Sequence, residues 1–467
     1  MVSDELPELS ADVLGELAVS GPRYTSYPTA PEWSDAFGED DARAAYARAA
    51  ATPDEPLSVY VHLPFCERLC LYCGCTTEIN GRHDRADSYL DAVEREIALV
   101  SEALGDRRQV AQLHWGGGTP TFLTCDRLRR LHAMLVRSFE LLPDAEVSIE
   151  VDPHVTSAEQ VDTLADLGFN RVSMGLQDLD PVVQQAVRRE QTLEETVALV
   201  QHCRARGVSG LNVDLMYGLP EQTAEGFGAT LDLVADEVRP DRLAVFGYAH
   251  VPWLKPAQKV LEKYAMPTAP ERAGLFGLAL RRLGGAGYTV VGLDHFARDD
   301  DPMVAALHAG SLHRNFMGYA TRPAPDMVGL GMSAIGDIAG SYIQNTRDTA
   351  AYEATLAQGH LPVVRGLDLS AEDLLRRQVI LSLMCRMHID WPELEAQTGH
   401  SDLARHFASQ WAQLAPLAER GFCTLSDERL DVTPLGRLFL RHLAMVFDEH
   451  LAKRRAAGEG PRFSKTI

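Results

Sequence analysis

The chain has 467 residues, 46% hydrophobic and 24% charged, an ordinary globular composition long enough for about three domain-sized units. A formal net charge of −22 excludes a broad nucleic-acid-binding face, which needs clustered cations, and obliges any anionic ligand to find a locally positive pocket in a repulsive field. There is no apolar run of about 18 residues, and the acidic start Met1-Val-Ser-Asp4-Glu5 lacks the basic and apolar parts of a signal peptide, so the expectation is a cytoplasmic chain with reduced thiols and no membrane partner.

Residues 1–55 are mostly polar or alanine-rich and include Gly21-Pro-Arg23-Tyr24-Thr-Ser-Tyr27-Pro28-Thr29. Two prolines and three hydroxyl residues in so short a segment do not propagate a helix, so it reads as an extended arm. A surface linker would have the same backbone, but two tyrosines and an arginine are unusual residues for one.

From Leu57 the pattern changes to short apolar runs, at Leu57–Pro64, Val110–Trp115, Glu146–Val151, Arg171–Leu176, Leu211–Met216 and Leu243–Ala249. Between them lie amphipathic stretches such as Tyr89–Val100, Leu128–Phe139, Val161–Leu167 and Phe227–Val234. Ser157-x-x-Gln160 and Thr192-x-x-Glu195 read as capping boxes. Six β-α repeats predict a parallel sheet curled into a barrel or part of one, whose chemistry gathers at the C-terminal ends of the strands.

Those ends are polar, charged or glycine-rich. After the first run come four of the eight cysteines, in Cys66-Glu-Arg-Leu-Cys70-Leu-Tyr72-Cys73-Gly-Cys75. The C-x3-C-x2-C spacing curls three thiolates around one centre and leaves a tetrahedral or cubane partner one ligand short. With Cys75 as a fourth ligand a closed zinc knot is possible, and a disulfide staple is a weaker alternative; an iron–sulfur cluster with one open iron is the third reading. The remaining cysteines, Cys125, Cys203, Cys385 and Cys423, are scattered singly and read as small buried hydrophobes.

Gly116-Gly117-Gly118-Thr119-Pro120 follows the second run, where absent Cβ atoms let backbone polar groups approach a ligand. Glu150-Val-Asp152-Pro153 closes the third, Gln177-Asp178 the fourth, Asp214 and Tyr217-Gly218-Leu-Pro220 the fifth, and Tyr248-Ala249-His250 the sixth. Glu150 and Asp214 are expected to project inward and bond an amino or hydroxyl group, and Arg189 to pair with a carboxylate. Further on, Glu271–Leu283 reads as a helix and Thr289–Arg298 as one more strand. From about Leu369 the chain is helical, with strand-like Leu430-Asp-Val432 and a Thr433-capped helix starting at Pro434, which suggests a separate and possibly winged-helix-like domain. With so acidic a balance, a lid or scaffold is a better reading of that domain than DNA binding.

The cysteine motif with Tyr72 between its second and third cysteines resembles the signature of the radical S-adenosylmethionine (SAM) enzymes. With the arm Arg23–Thr29, the extra Cys75, Leu113-His-Trp-Gly-Gly-Gly-Thr-Pro120, Asp294-His-Phe-Ala-Arg298, His313-Arg-Asn-Phe316 and the closing Arg462-Phe463-Ser464, the chain is similar almost end to end to the oxygen-independent coproporphyrinogen III oxidase family. The resemblance implies an α/β fold: a radical SAM partial (β/α)6 barrel over residues 56–300, an N-terminal arm over 1–55, a barrel-capping segment over 301–367 and a mainly helical C-terminal domain over 368–467.

It also implies an activity, the conversion of the ring A and B propionates of coproporphyrinogen III to vinyl groups in haem biosynthesis, with a [4Fe–4S] cluster and two SAM molecules as cofactors. On that pattern Cys66, Cys70 and Cys73 hold the cluster, and Cys75 does not ligate iron. Tyr60, Gly117, Glu150 and Ile335 match contacts to the cluster-bound SAM, while Tyr72, Gly118, Thr119, Gln177, Arg189, Asp214 and Ala249 match contacts to the second. The expected partners are the substrate and an electron donor of flavodoxin or ferredoxin type, and the expected state is a monomer. One departure is visible: Met317 follows Asn315-Phe316 where the family carries glutamine, at a cost of roughly 0.5–1.5 kcal/mol if that side chain meets SAM.

The substrate's four carboxylates need cations, and Arg23, Arg298 and Arg314 are the expected ones. Two related classes share the scaffold: haem-binding chaperones, which usually lack the fourth cysteine and the tyrosine arm, and SAM methyltransferases or cyclopropane-forming relatives.

Overall fold

The structure, a computed structural model, describes residues 16–321, 324, 326–460, 463 and 465–466. Met1–Glu5 and the closing Arg462 and Ser464 lie outside the described residues.

Strands and helices alternate as the hydrophobic pattern requires. In order they are α1 Glu39–Ala49, β1 Leu57–Leu63, α2 Arg85–Ala103, β2 Gln109–Gly117, α3 Cys125–Ser138, β3 Glu140–Val151, α4 Ala158–Asp166, β4 Arg171–Gln177, α5 Pro181–Val187, α6 Leu193–Ala205, β5 Gly210–Tyr217, α7 Ala224–Leu233 and β6 Arg242–Gly247. The six strands pair side by side and parallel in chain order. Both expected capping boxes form: Ser157 and Thr192 accept the amide hydrogens of Gln160 and Glu195, whose side chains return to the cap amides. Each such cap stabilises its helix by about 1 kcal/mol.

Side chains alternate across each strand with period two. Val59, Val61 and Leu63, then Val147, Ile149 and Val151, then Leu211, Val213 and Leu215 enter the core beneath the helices. The intervening residues are polar and face inward: Gln112 and His114, Ser148 and Glu150, Arg171 and Ser173, Asn212 and Asp214 line one internal cavity of about 180 Å³. The barrel interior is therefore a polar lumen that opens towards the strand ends.

Beyond β6 the chain differs from expectation in two places. After α8, Ala269–Gly285, the segment Thr289–Arg298 is a hairpin of β7 Tyr288–Gly292 and β8 His295–Arg298, antiparallel to each other, and it is β8 that joins β6. Leu293 sits between them in the left-handed region at φ 38°, and Asp294 follows at the turn. The segment 301–367 also does more than cap. After α9 Pro302–His308 and a small hairpin, β9 His313–Asn315 with β10 Gly318–Ala320, it supplies β11 Asp326–Leu330, β12 Ile335–Ile338, β13 Ser341–Asn345 and β14 Val363–Asp368. Strand β11 runs parallel to β1, and the other three follow antiparallel. The result is one twelve-stranded sheet, ordered β14-β13-β12-β11-β1-β2-β3-β4-β5-β6-β8-β7, whose end strands β14 and β7 do not pair with each other, so the barrel is partial.

Gly21–Thr29 forms no helix, as expected, but it is bent rather than extended, with Tyr24 in the left-handed region at φ 49°, and it is not a surface linker. Tyr24 and Tyr27 are each 2% exposed and pack with Val379, Leu383 and Leu443 of the C-terminal region. Tyr24 donates its hydroxyl to Asp448 at 2.9 Å, and the Tyr342 hydroxyl of β13 donates to the Tyr27 carbonyl at 3.0 Å. The alanine-rich stretch behind the arm forms α1. The C-terminal region is helical around Ala371–Arg386 and carries a three-stranded antiparallel sheet of His388–Asp390, Arg429–Val432 and Cys423–Leu425. Thr433 caps Pro434–Leu438 as expected. Of the scattered cysteines, Cys203, Cys385 and Cys423 are buried and Cys125 is half-buried.

Candidate active site

Strands β1 to β6 end around one cavity of about 510 Å³. Its wall combines the cysteine loop after β1, Gly117, Gly118 and Thr119 at the end of β2, Glu150 and Asp152 at the end of β3, Gln177 at the end of β4 and Arg189 beyond it, Asp214 and Met216 of β5, Phe246 of β6, and Tyr248 and Ala249 after it. Cys66, Cys70, Cys73, Cys75 and Tyr72 line it together. Tyr60 and Ile335 do not. Tyr60 pairs with Gly329 of β11, where a Cβ would collide with the Ile335 carbonyl, so the two stand near each other beside β11.

The cysteine loop is held from several directions. The Asn80 amide donates to the Cys66 carbonyl at 2.9 Å and the Leu71 amide to the Val187 carbonyl at 3.0 Å. The Gln258 side chain donates to the Tyr72 carbonyl at 2.9 Å and Lys255 to the Cys75 carbonyl at 2.7 Å. Cys66 Sγ lies 3.5 Å from Thr119 Oγ1, and burial pushes its thiol up to about 11. A hydrogen bond with Cys75, itself exposed, brings the Cys73 thiol down.

The glycine turn is fixed by contacts that leave no room for side chains. Gly117 has φ +119°, and a Cβ there would meet the His62 ring at 2.6 Å. A Cβ at Gly118 would meet the Phe65 carbonyl oxygen at 2.6 Å. The Gly117 amide donates to Glu150 Oε2 at 3.0 Å, and His114 Nε2 lies 3.5 Å from Glu150 Oε1. Burial works to raise the Glu150 carboxyl, but His114 and the Gly117 amide outweigh it and hold it below its usual range. Asp214 behaves in the opposite way. Burial and the nearby Glu150 charge push it up to about 7, with Asn212 Nδ2, 2.7 Å away, as its donor.

Arg189 reaches the cavity already engaged. It donates to the Gly175 carbonyl at 2.6 Å, approaches Cys70 Sγ at 3.6 Å and pairs with Asp152 at 3.2 Å, while its buried Nε has no partner. Gln177 stands at φ 68° where β4 breaks register, and its buried Oε1 also lacks a partner. Left-handed backbone at a non-glycine residue in a cavity wall is characteristic of ligand contact.

These residues fit an iron–sulfur cluster with an amino-acid-bearing cofactor beside it. The thiols border the same cavity as two orphaned buried polar atoms and a turn shaped for backbone approach. Cubane cysteines each hold a different iron, so they stand farther apart than the ligands of one ion. Among the described residues no group of three or more His, Cys, Asp or Glu side chains is tight enough to hold a single metal ion.

Of the three expected substrate cations, Arg23 lines the cavity, ion-paired with Asp294 and with its guanidinium carbon 5.2 Å from the Phe246 ring centre. Arg298 does not belong there. Its amide bonds the Asp241 carbonyl before β6, at the opposite end of the barrel, and its guanidinium pairs with exposed Asp300. The antiparallel β8 runs away from the mouth, which a single parallel strand would not have done. Arg314 lies over the Tyr319 ring at 4.7 Å, behind the cavity wall, with buried Nε and Nη1 unpartnered. Phe316 and Met317 do face the cavity. His62, His114 and Asp152 were not singled out as site residues, although the polar positions alternating along β1 to β3 point to them.

A radical SAM superfamily model matches residues 60–234, and a HemN C-terminal domain model matches residues 369–439. The oxygen-independent coproporphyrinogen III oxidase of Salmonella typhimurium is 44% identical over 436 residues, 93% of this chain and 94% of that protein. Its counterpart from Pseudomonas aeruginosa is 40% identical over 459 residues, 98% of both chains. The solved structure of coproporphyrinogen III oxidase (HemN) from Escherichia coli, described as a radical SAM enzyme, matches with a TM-score of 0.89 at 41% identity, covering 96% of this chain and 100% of that one.

Proposed function

This chain belongs to the oxygen-independent coproporphyrinogen III oxidases of the radical SAM superfamily, and we propose that the cavity at its barrel mouth carries out their reaction through the residues named above. It is an oxidoreductase that decarboxylates the ring A and B propionates of coproporphyrinogen III to vinyl groups, giving protoporphyrinogen IX. Each propionate gives up carbon dioxide, one hydrogen atom and one electron. When bound, a [4Fe–4S] cluster with SAM on its open iron supplies the 5′-deoxyadenosyl radical that an unactivated C–H bond requires.

The protein's own residues bind, orient and exclude. Cys66, Cys70 and Cys73 hold the cluster, and Cys75 stays off iron. Gly117 and Glu150, with Tyr60 and Ile335, hold the SAM on the cluster: Glu150 is ionised, so it can accept from an ammonium while it fixes the glycine turn. Tyr72, Gly118, Thr119, Gln177, Arg189, Asp214 and Ala249 hold a second SAM. The unpartnered Gln177 Oε1 and Arg189 Nε support that assignment, since buried polar groups are normally satisfied. Met317 lines the cavity with a thioether and brings no polar contact to either SAM. Arg23 of the docked arm, with Phe316 and Met317, closes part of the cavity wall and helps to keep water from the reacting carbon.

We place the enzyme in the reducing cytoplasm as a monomer, supplied with electrons by a donor of flavodoxin or ferredoxin type. No helix among the described residues is long and apolar enough to cross a membrane. The observation that carries the reading is the convergence of three cysteines, a glycine turn and two inward carboxylates of opposite titration on one cavity.

Anaerobic reconstitution, followed by reductant, SAM and coproporphyrinogen III, tests it. Vinyl products with 5′-deoxyadenosine are expected. Methylated product, or haem retention without turnover, would overturn the reading in favour of a methyltransferase or a chaperone.

A further inference from the structure

Beside the main cavity, and sharing Arg23 and Gly247 with it, lies a smaller one of about 50 Å³. Four cationic side chains line it: Arg23 from the arm, Arg272 from α8, Arg441 from the C-terminal helices and Lys465 from the chain end. Among the described residues Asp294 is the one carboxylate in its lining, and that group is already paired with Arg23 and lies 2.8 Å from His295 Nδ1. In a chain of net charge −22, such a cluster is a local reversal of sign.

The cations are not neutralised by the fold. Arg272 and Arg441 form no ion pair among the described residues. Arg272 spends one nitrogen on the Tyr248 carbonyl at 2.9 Å and leaves its buried Nε without a partner. Arg441 holds the backbone carbonyls of Gly21, Pro22 and Lys465, which fixes the guanidinium, and Asp294, which Arg23 already engages, offsets part of its charge. Arg23 repels both, acting with burial to lower the affinity of each for its proton. Mutual repulsion of this kind costs stability unless an anion shares the site. The Tyr217 ring lies 5.8 Å from the Arg272 guanidinium carbon, and its hydroxyl would be met at 2.9 Å by a Cβ at Gly247, which both cavities share.

We propose that Arg272, Arg441 and Lys465, together with Arg23, form a carboxylate subsite that anchors a propionate of the substrate which the reaction leaves intact. This rests on the coproporphyrinogen reading. The pocket has room for a carboxylate but not for a ring, and it adjoins the main cavity at Arg23 and Gly247, with none of the cysteines in its own lining. The group it holds is therefore one that survives the reaction. Of the four propionates two are consumed, and an anchor on an unreacted one persists from substrate to product. Planar guanidinium groups suit a carboxylate, and burial of Arg272 and Arg441 strengthens the charge-assisted bonds those two would make.

The test is equilibrium binding to the reconstituted full chain, followed by fluorescence. The probes are coproporphyrin III, its tetramethyl ester and protoporphyrin IX, which keeps only the two unreacted propionates. Arg272→Met and Lys465→Met should each weaken both acids at least tenfold and leave the ester unchanged, while Arg272→Lys recovers much of the loss. Lys465 is exposed, so its variant reads the site even if Arg272→Met fails to fold. Unaltered acid binding in the variants, or equal binding of acid and ester by the unmodified protein, would overturn the subsite. So would loss confined to coproporphyrin III, which would put a consumed propionate there. Binding that depends on these cations in a protein that forms no vinyl product would leave the subsite standing and remove the decarboxylase reading. Turnover with cation-independent binding would do the reverse.

Discussion

Glu150 Oε2 accepts the amide hydrogen of Gly117 at 3.0 Å, so the end of the third strand and the turn after the second are locked together at the point where a cofactor would rest on both. The neighbouring Gly116 has no room to spare, because a Cβ there would meet Glu150 Cδ at 2.9 Å. Gly116→Ala must therefore push the carboxylate off the Gly117 amide. We expect the affinity for SAM, measured by equilibrium dialysis on reconstituted protein, to fall about tenfold, equivalent to about 1.4 kcal/mol. Gly81→Ala, where a Cβ meets nothing within 4 Å, should leave it unchanged.

Asp214 gives a pH signature. Its folded-state value of about 7 lies above the ordinary 3.8, because burial and Glu150 disfavour the charged form. The group thus contributes stability that is complete below the unfolded value and is lost as pH rises through about 7. Asp214→Asn carries no such titration. In thermal unfolding without SAM, the midpoint of the variant should gain on the unmodified protein between about pH 5.5 and about pH 8.5. A difference that is flat across that range would contradict the assignment.

The two arginines Arg23 and Arg298, alike as expected substrate cations in the sequence, are separated by the fold. Arg23→Ala should raise the KM for coproporphyrinogen III about tenfold, since it removes a cation of the cavity wall and frees the buried Asp294 charge. Arg298→Ala, which breaks only the pair with exposed Asp300, should change the KM by less than about twofold.

Tyr24 tests how firmly the arm is docked. Its hydroxyl bonds the buried Asp448 at 2.9 Å. Tyr24→Phe removes a donor from a buried carboxylate and should lower the unfolding free energy in urea by about 1–3 kcal/mol. Because Tyr24 and Tyr27 belong to a hydrophobic core, deleting the arm through Thr29 would test folding as much as closure over substrate.

Much of this was readable in advance wherever local rules govern. The spacing of Cys66, Cys70 and Cys73, the capping boxes at Ser157 and Thr192, and the six parallel strands depend on short-range pattern, and the structure places them as expected. The polar lumen was equally readable, since Ser58, Tyr60 and His62 alternate with Val59, Val61 and Leu63, but reading the strands as apolar runs concealed the second face. What escaped was set by distant pairing. The turn at Leu293 and Asp294 folds one apolar run into two strands and carries Arg298 away from the site. Nothing near Val328 in sequence says that its strand docks beside β1. The convergence of Arg23, Arg272, Arg441 and Lys465 joins positions from opposite ends of the chain, which no local pattern connects.

We propose that Cys66, Cys70 and Cys73 hold a cluster with one iron left open for SAM. Electron paramagnetic resonance of the anaerobically reconstituted, reduced protein, recorded with and without SAM, decides the point. A [4Fe–4S] spectrum whose g-values shift on addition of SAM is expected. A spectrum indifferent to SAM, or a sample carrying zinc in place of iron, would contradict it.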